Sequence, residues 1–424
     1  MKHKFETLPD WLSYLEQLHP KTIELGLERV AIVKRAMHLE PDFPVITVGG
    51  TNGKGSTCAM LESILSDAGF RAGCYTSPHL LRYNERVRVG REEASDAEIC
   101  NAFKAVEQAR NDTSLTYFEF GTLAAVWHFI QQKVEVAILE VGLGGRLDAV
   151  NVFDTDCAII TSIDLDHMDY LGDTREAIGL EKAGIVRPGK PVICAEPNLP
   201  EAVENFIETN GAKLYRIGRD FGFTQLDTQW GFDGPRSRRH SLPYPVLRGK
   251  FQLGNASACL TALDELKERL PVTVNNIRNG LLDTRLTGRF QVMPGRPAVI
   301  LDVAHNPHAA KALADNLRSM PCAGKTIAVF AMLADKDIAG VVNAVKAHID
   351  TWLLADIKET RGSTAHYLHQ VLIAEGVDAI SEEFESVASA YRRACIMASE
   401  NDRIMVFGSF HTVADTLREL HLAR

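Results

Sequence analysis

Nine consecutive residues, Gly49-Gly50-Thr51-Asn52-Gly53-Lys54-Gly55-Ser56-Thr57, have the composition of a phosphate-holding loop. They follow the apolar run Val45-Ile46-Thr47-Val48. They precede a stretch with helical spacing, in which Cys58, Leu61, Leu65 and Ala68 share a face and Gly69 suits the left-handed residue that ends a helix. A glycine-rich turn between strand and helix gathers backbone N–H groups and the positive end of a helix dipole at one place, which suits a triphosphate. Lys54 adds a point charge for the β and γ phosphates. The spacing departs from G-x-x-x-x-G-K-[ST], because three residues separate Gly49 from Gly53 and Gly55 stands where a hydroxyl is expected. Ser56, Thr57 or another residue must then supply the hydroxyl. The plain alternative is a glycine-rich turn with an exposed lysine.

Three further residues sit at predicted strand ends, where an open parallel sheet binds its ligands. Ser77 follows the strand ending at Tyr75, Glu140 ends the apolar Val136-Ala137-Ile138-Leu139, and His167 lies in Asp164-Leu165-Asp166-His167-Met168-Asp169 after a strand ending near Ile163. A hydroxyl, a carboxylate and an imidazole can share one or two Mg²⁺ ions with triphosphate oxygens, since magnesium takes few protein ligands and keeps its phosphates. Taken singly, Ser77 also suits a turn, Glu140 a salt-bridged strand end and His167 a capped loop.

These residues must be positioned by a larger frame. A chain of 424 residues exceeds what one core supports, so two domains are expected, and 46% apolar residues suffice for both. Strand-like runs alternate with helical stretches nearly throughout, the pattern of an α/β protein with a mainly parallel sheet. Further strands are predicted at Ala72–Tyr75, Val134–Val141, Cys157–Ile163 and Pro191–Ala195. Gly218–Gly249 reads as irregular hairpins or loops, and a helix follows from about Asn255 to Leu270. Gly288–Pro297 reads as a linker. A second alternating series then has strands at Ala298–Asp302, Ile327–Leu333, Trp352–Ile357 and Arg403–Phe407.

The formal net charge of −9 disfavours nucleic acid as a partner, because phosphate contacts need clustered Lys and Arg. The eight cysteines are scattered without C-x-x-C spacing and read as reduced core residues of a cytoplasmic protein. Neither a leader nor an apolar run long enough for a bilayer is visible, so no membrane partner is expected. Without an obvious heptad, a monomer is the expectation.

Segments in one order along nearly the whole chain resemble the Mur-ligase superfamily, and within it the dihydrofolate synthase/folylpolyglutamate synthase family. They are Lys21–Val30, the phosphate loop, Ser77-Pro78-His79 with Asn84-Glu85-Arg86, Thr116–Glu119, Leu139–Asn151, Asp164–Asp169, Glu181–Ile185, Gly288-Arg289-Phe290, Asp302–Pro307, Asp335-Lys336-Asp337 and Gly408–His411. The resemblance implies an α/β fold. Its first part is a P-loop Mur-ligase-like domain with a mainly parallel sheet, over residues 1–287. A linker at 288–297 leads to a smaller Rossmann-like C-terminal domain of the glutamate-ligase type at 298–424.

The resemblance also implies site roles. ATP falls to Thr51, Asn52, Gly53, Lys54, Gly55 and Ser56, with its adenosine end at Asn255, Arg289 and Asp302, so that ATP would bridge both domains. Mg²⁺ falls to Ser77, Glu140 and His167. Lys182 is where the family carries a carbamate made from CO₂, which turns a cation that repels Mg²⁺ into an anion that can orient it; an ordinary ion-paired lysine is the alternative. The pterin is assigned Glu24, Leu25, Gly26 and Leu27, then Thr116, Tyr117, Phe118 and Glu119, then Leu147, Asp148 and Ala149. Tyr117 and Phe118 offer flat apolar surface and Asp148 an acceptor for an amino group, though core packing is the commoner fate of aromatic residues. Arg86, His305 and Ser409 are the candidates for glutamate, an arginine being suited to a carboxylate.

The implied reaction activates a carboxylate as an acyl phosphate with ATP and couples it to L-glutamate, catalysed by Lys54, Glu140, His167 and Lys182. It would turn dihydropteroate into dihydrofolate and add glutamates to reduced folates. A folylpolyglutamate synthase lacking the first activity is one alternative. A P-loop phosphotransferase or a nucleotide-dependent switch would use the same loop, without need of a second α/β domain bearing His305-Asn306-Pro307.

Overall fold

The computed structural model describes residues 5–249 and 251–420, which fall into two compact units, one of residues 5–246 and 253–285 and the other of 247–249, 251–252 and 286–420. In the first unit an eight-stranded sheet is built from β1 (Val45–Gly49), β2 (Ala72–Tyr75), β3 (Val87–Val89), β4 (Glu92–Glu93), β5 (Val136–Glu140), β6 (Cys157–Ile160), β7 (Pro191–Cys194) and β8 (Lys213–Arg216). Its order is β4-β3-β2-β5-β1-β6-β7-β8, parallel except for the hairpin of β3 and β4 at one edge. β1 lies centrally with β5 and β6 on either side, its strand wholly buried, as a run without polar alternation requires.

Alternation places Val45, Ala137, Leu139, Ala158 and Ile160 in one cluster with Trp11, Phe103, Phe120 and Phe129. Those aromatic residues come from the helices Leu8–Leu18, Asp96–Arg110 and Tyr117–Gln131. The helix after the phosphate loop, Lys54–Asp67, is buried along Ser56–Leu65 and not along one stripe. It packs on β5, β2 and β1 and against the helix Val274–Asp283, so it has no solvent face to keep polar. Gly69, at φ 89°, ends it as expected.

The predicted strands of this unit are present, with β5 and β6 ending before the expected limits. Gly218–Gly249 is more regular than expected: β9 (Gly222–Gln225), β10 (Trp230–Asp233) and β11 (Arg238–Leu242) form an antiparallel sheet anchored by the buried Trp230 and Phe232. The predicted helix spans Phe251–Glu265.

The second unit holds a six-stranded sheet of β12 (Gln291–Met293), β13 (Ala298–Leu301), β14 (Thr326–Phe330), β15 (Thr351–Ala355), β16 (Ile380–Phe384) and β17 (Arg403–Phe407), in the order β12-β13-β17-β14-β15-β16. Only β12 is antiparallel. The stretch read as a linker thus contains an edge strand, with Val292 packed on the core of this unit. β16 is a strand absent from the expectation, because Glu382 and Glu383 hide its apolar ends and its edge position needs only one neighbour. Of the eight cysteines six are buried, whereas Cys322 is half-buried and Cys395 exposed, so these two are not core residues. No described helix is long and apolar enough to cross a membrane.

Candidate active site

The strand order sets β2, β5, β1 and β6 side by side, so their carboxyl ends form one continuous edge. The register aligns Val48 with Glu140 and Gly49 with Ile160. Along this edge stand Ser77, Glu140, the phosphate loop and the segment Thr161–His167. The backbone N–H of Ser77 donates to Glu140 Oε2 at 3.0 Å, and Glu140 is buried to 4% exposure.

The loop owes its shape to two glycines and to a strap from β6. Gly50 has φ 144°, and a Cβ there would lie 1.9 Å from Thr161 Oγ1; Gly53 has φ 89°, and a Cβ there would lie 2.9 Å from Asn255 Oδ1. Thr161 Oγ1 donates to Asn52 O at 2.6 Å, Ser162 Oγ accepts from Asn52 N at 2.9 Å, and Thr51 N donates to Ser162 O at 2.9 Å. Thr51 Oγ1 donates to Asp164 O and accepts from Asp164 N, both at 3.0 Å. The strap residues Thr161 and Ser162 carry no motif of their own, and their position just past a strand beside the loop is the only signal they offered; Asp164 opens the segment Asp164–Asp169, where a role is expected only of His167. Lys54 begins the helix, and its Nζ donates to Gly50 O at 2.8 Å and Thr51 O at 3.2 Å, within phosphate reach of its own loop. Ser56 and Thr57 are both buried, and Thr57 Oγ1 has no hydrogen-bond partner among the described residues. Asn255 lies against Gly53 in this unit, whereas Arg289 and Asp302 belong to the other.

His167 follows β6 with φ 51° and precedes the short helix Met168–Leu171; its N–H donates to Asp166 Oδ1 at 2.9 Å. Lys182, near the end of the helix Arg175–Ala183, is buried and has no ion-pair partner among the described residues. Burial, helped by the charge of Lys54 and opposed by Asp166, brings its ammonium down to about 7. A lysine of that kind is substantially neutral near pH 7 and can act as a nucleophile.

The three segments expected to meet the pterin converge. Gly26 N donates to Leu147 O at 3.3 Å, and Arg29 joins the Glu24 carbonyl, at 3.0 Å, to the Glu119 carboxylate, at 3.1 Å. Thr116 and Glu119 form the capping box of the helix Tyr117–Gln131, with Glu119 Oε2 accepting from Thr116 N at 2.8 Å. The tip of the Phe118 ring lies against Gly142, where a Cβ would come within 2.6 Å of it, and the ring is tilted against Tyr75 at 5.8 Å. Arg86 sits 5.5 Å from the ring centres of both Tyr117 and Tyr83, and its Nε donates to His79 Nδ1 at 2.8 Å. Asp148 is buried and accepts from Leu143 N at 2.8 Å and Val150 N at 3.0 Å; burial outweighs those bonds and lifts its carboxyl to about 7.

In the second unit His305 and Ser409 follow the neighbouring strands β13 and β17, and the His305 ring is 6.1 Å from Phe410. Ser409 is the buried N-cap of the helix Phe410–Glu419, accepting from Thr412 N at 3.0 Å. Arg289 lies over Phe410 at 5.2 Å. Asp302 accepts from Phe290 N and Ala304 N at 2.8 Å each, and burial raises its carboxyl against the pull of Arg289.

Comparison with known proteins accords with this arrangement. Residues 48–263 match the Mur ligase middle domain, and residues 288–410 the Mur ligase glutamate ligase domain. The dihydrofolate synthase/folylpolyglutamate synthase of Escherichia coli (strain K12) is 46% identical over 418 residues, covering 98% of this chain and 96% of that protein. The chain belongs to the dihydrofolate synthase/folylpolyglutamate synthase family. The Haemophilus influenzae member is 42% identical over 427 residues, covering 96% of both. Among solved structures, Escherichia coli FolC in complex with DHPP and ADP superposes with a TM-score of 0.95 at 45% identity, over 100% of this chain and 99% of that one. A bifunctional folylpolyglutamate synthase/dihydrofolate synthase with Mn, AMPPNP and L-glutamate bound gives 0.91 at 46% identity, over 98% of each.

The donor set suits the divalent cation such a family member uses. Among the described residues no three His, Cys, Asp or Glu side chains converge as a metal cage. A strand-end hydroxyl, one buried carboxylate and one imidazole beside a phosphate loop instead fit a hard cation that arrives with its nucleotide and completes its shell with phosphate oxygens and water.

Proposed function

We propose that the chain joins L-glutamate to dihydropteroate, forming dihydrofolate, and adds further glutamates to reduced folates, each time at the expense of ATP. As a member of this ligase family it is an ATP-dependent enzyme. A carboxylate is a poor acyl donor, so the acceptor's carboxylate oxygen attacks the γ-phosphorus of ATP, giving an acyl phosphate and ADP. The glutamate α-amine then attacks the acyl carbon and phosphate leaves. Bound Mg²⁺ supplies charge neutralisation on the phosphoryl oxygens.

In this reading the loop N–H groups of Thr51–Ser56 and the Lys54 ammonium hold the triphosphate, and Asn255, Arg289 and Asp302 take the adenosine. Ser77, Glu140 and His167 hold the cation. Lys182, whose depressed value leaves a large share of its amine neutral near pH 7, adds to CO₂ and gives up a proton to solvent, becoming an anionic carbamate. Glu24–Leu27, Thr116–Glu119 and Leu147–Ala149 receive the pterin. Arg86, His305 and Ser409 are assigned to glutamate, with residues 1–287 as the nucleotide domain, 288–297 as the link and 298–424 as the glutamate-ligase domain. The protein contributes position and preorganised charge and no covalent nucleophile. A cytoplasmic, monomeric enzyme is part of the same proposal.

One observation carries the reading: the strapped phosphate loop lies between two strand ends, with the Ser77–Glu140 contact on one side and His167 on the other. The test supplies purified protein with ATP, Mg²⁺, dihydropteroate and labelled glutamate, and then with a reduced folate. Labelled dihydrofolate and glutamate-dependent phosphate release are expected. A stable phosphorylated product, or ATP hydrolysis indifferent to glutamate, would overturn it in favour of a phosphotransferase or a switch.

A further inference from the structure

The polar chain that joins the pterin segments begins outside them, at His19. This residue caps the carboxyl end of the helix Leu8–Leu18, and its side chain is 7% exposed, against 32% for Glu24. Its Nε2 lies 2.5 Å from Glu24 Oε2 and its Nδ1 2.8 Å from Ser114 Oγ. The Ser114 hydroxyl also lies 3.2 Å from Leu18 O, which ties it to the end of that helix. An ionised carboxylate only accepts, so Nε2 is the donor to Glu24, and hydrogen bonding to His19 is the leading cause that holds Glu24 below the usual carboxylate range. The ring is thus gripped at both nitrogens, by Ser114 on one side and by Glu24 on the other.

The other groups near the Glu24 carboxylate are Arg29 and Lys21, each at 3.5 Å, and Lys21 is mostly exposed. Those contacts are too long to select a rotamer, whereas the short bond from a buried imidazole held at its other nitrogen does so. With Glu24 fixed, Arg29 is held between the Glu24 carbonyl and Glu119; its approach to Glu119 Oε1 is close in charge but poorly aligned as a hydrogen bond.

We infer that His19 is a positioning residue for the acceptor pocket: from behind, it sets the Glu24 carboxylate and, through Arg29, the entry of the helix at Thr116–Glu119. The inference rests on the proposed assignment of Glu24–Leu27, Thr116–Glu119 and Leu147–Ala149 to the pterin. His19 touches no substrate in this role. Its effect falls on how well the acceptor binds, and not on the phosphoryl transfer.

The experiment compares His19→Asn, His19→Gln and Glu24→Ala in steady-state kinetics, with KM for dihydropteroate and for ATP and kcat measured separately, alongside thermal melting. Asparagine keeps a donor for Ser114 but falls short of Glu24, whereas the glutamine amide reaches where Nε2 does. Expected results are a KM for dihydropteroate about tenfold higher in His19→Asn, mostly recovered in His19→Gln, with kcat and KM for ATP within about twofold. His19→Asn should add nothing in the Glu24→Ala background. If Glu24→Ala raises KM for dihydropteroate and His19→Asn does not, the positioning role is wrong. A parallel loss of melting temperature, kcat and ATP affinity in His19→Asn, not relieved by glutamine, also overturns it, since that marks a general structural role. If Glu24→Ala itself leaves KM for dihydropteroate unchanged, the pocket assignment fails, and the inference with it.

Discussion

Ser77 and Glu140 are tied across two neighbouring parallel strands, the Ser77 N–H donating to the Glu140 carboxylate at 3.0 Å. The contact sets a buried carboxylate at the sheet edge, beside the phosphate loop. Glu140→Gln preserves the acceptor for Ser77 and removes the charge. Activity should fall about 10²- to 10³-fold, as loss of one preorganised charge at a phosphoryl-transfer site does, while the melting temperature holds. Steady-state rates and a thermal melt check both halves.

Gly53 is constrained twice, by φ 89° and by Asn255 at 2.9 Å from an added Cβ. Gly53→Ala is expected to cost about 1–3 kcal/mol of stability. It should also raise KM for ATP, because the displaced loop aims its N–H groups elsewhere. Asn255→Ala relieves the collision and not the strained backbone, so the double variant should recover stability only in part in a urea titration.

Lys182 gives a pH signature. Its folded value, about 7, lies below the unfolded amine, near 10.4, so between those limits the unfolded chain binds more protons and stability rises with pH. Lys182→Met removes the buried cation. It should be more stable than the parent by about 1–3 kcal/mol at pH 7, with the gap closing towards pH 10, and should lose activity. Parent activity should fall as pH drops below 7, where the protonated amine cannot take up CO₂. A gap that does not change with pH would contradict a buried, titrating lysine.

Arg88 holds Glu62 of the helix Lys54–Asp67 through Nη2 at 2.8 Å and donates to Glu85 O at 2.7 Å and Thr76 Oγ1 at 3.3 Å, next to Ser77. Glu62 is 6% exposed at its side chain. Arg88→Ala leaves that carboxylate buried and unpaired and should cost about 3–5 kcal/mol in denaturant unfolding. Arg88→Lys should fall between, since an ammonium cannot make the forked contact.

The phosphate loop, the strand ends at Ser77 and Glu140, the alternating α/β pattern and the family itself were determined by local sequence, because strand, glycine turn and helix follow one another within a few residues. Thr116 and Glu119 also have the spacing of a capping box, a signal in the sequence that their assignment to the pterin leaves unused. What only the tertiary structure decided is which strand ends are neighbours. The order β2-β5-β1-β6 departs from chain order by setting β1 between β5 and β6, and it alone sets Glu140 beside Ser77 and the strap Thr161–Asp164 beside a loop about 110 residues earlier. The regular sheet at Gly222–Leu242 and the edge strand Gln291–Met293 escaped the pattern because a short strand satisfies its hydrogen bonds through partners that periodicity does not name. His19 was likewise illegible. A histidine after a helix becomes a positioning group only when Ser114 and Glu24 are folded against its two nitrogens, and sequence discloses neither that convergence nor the burial of the ring.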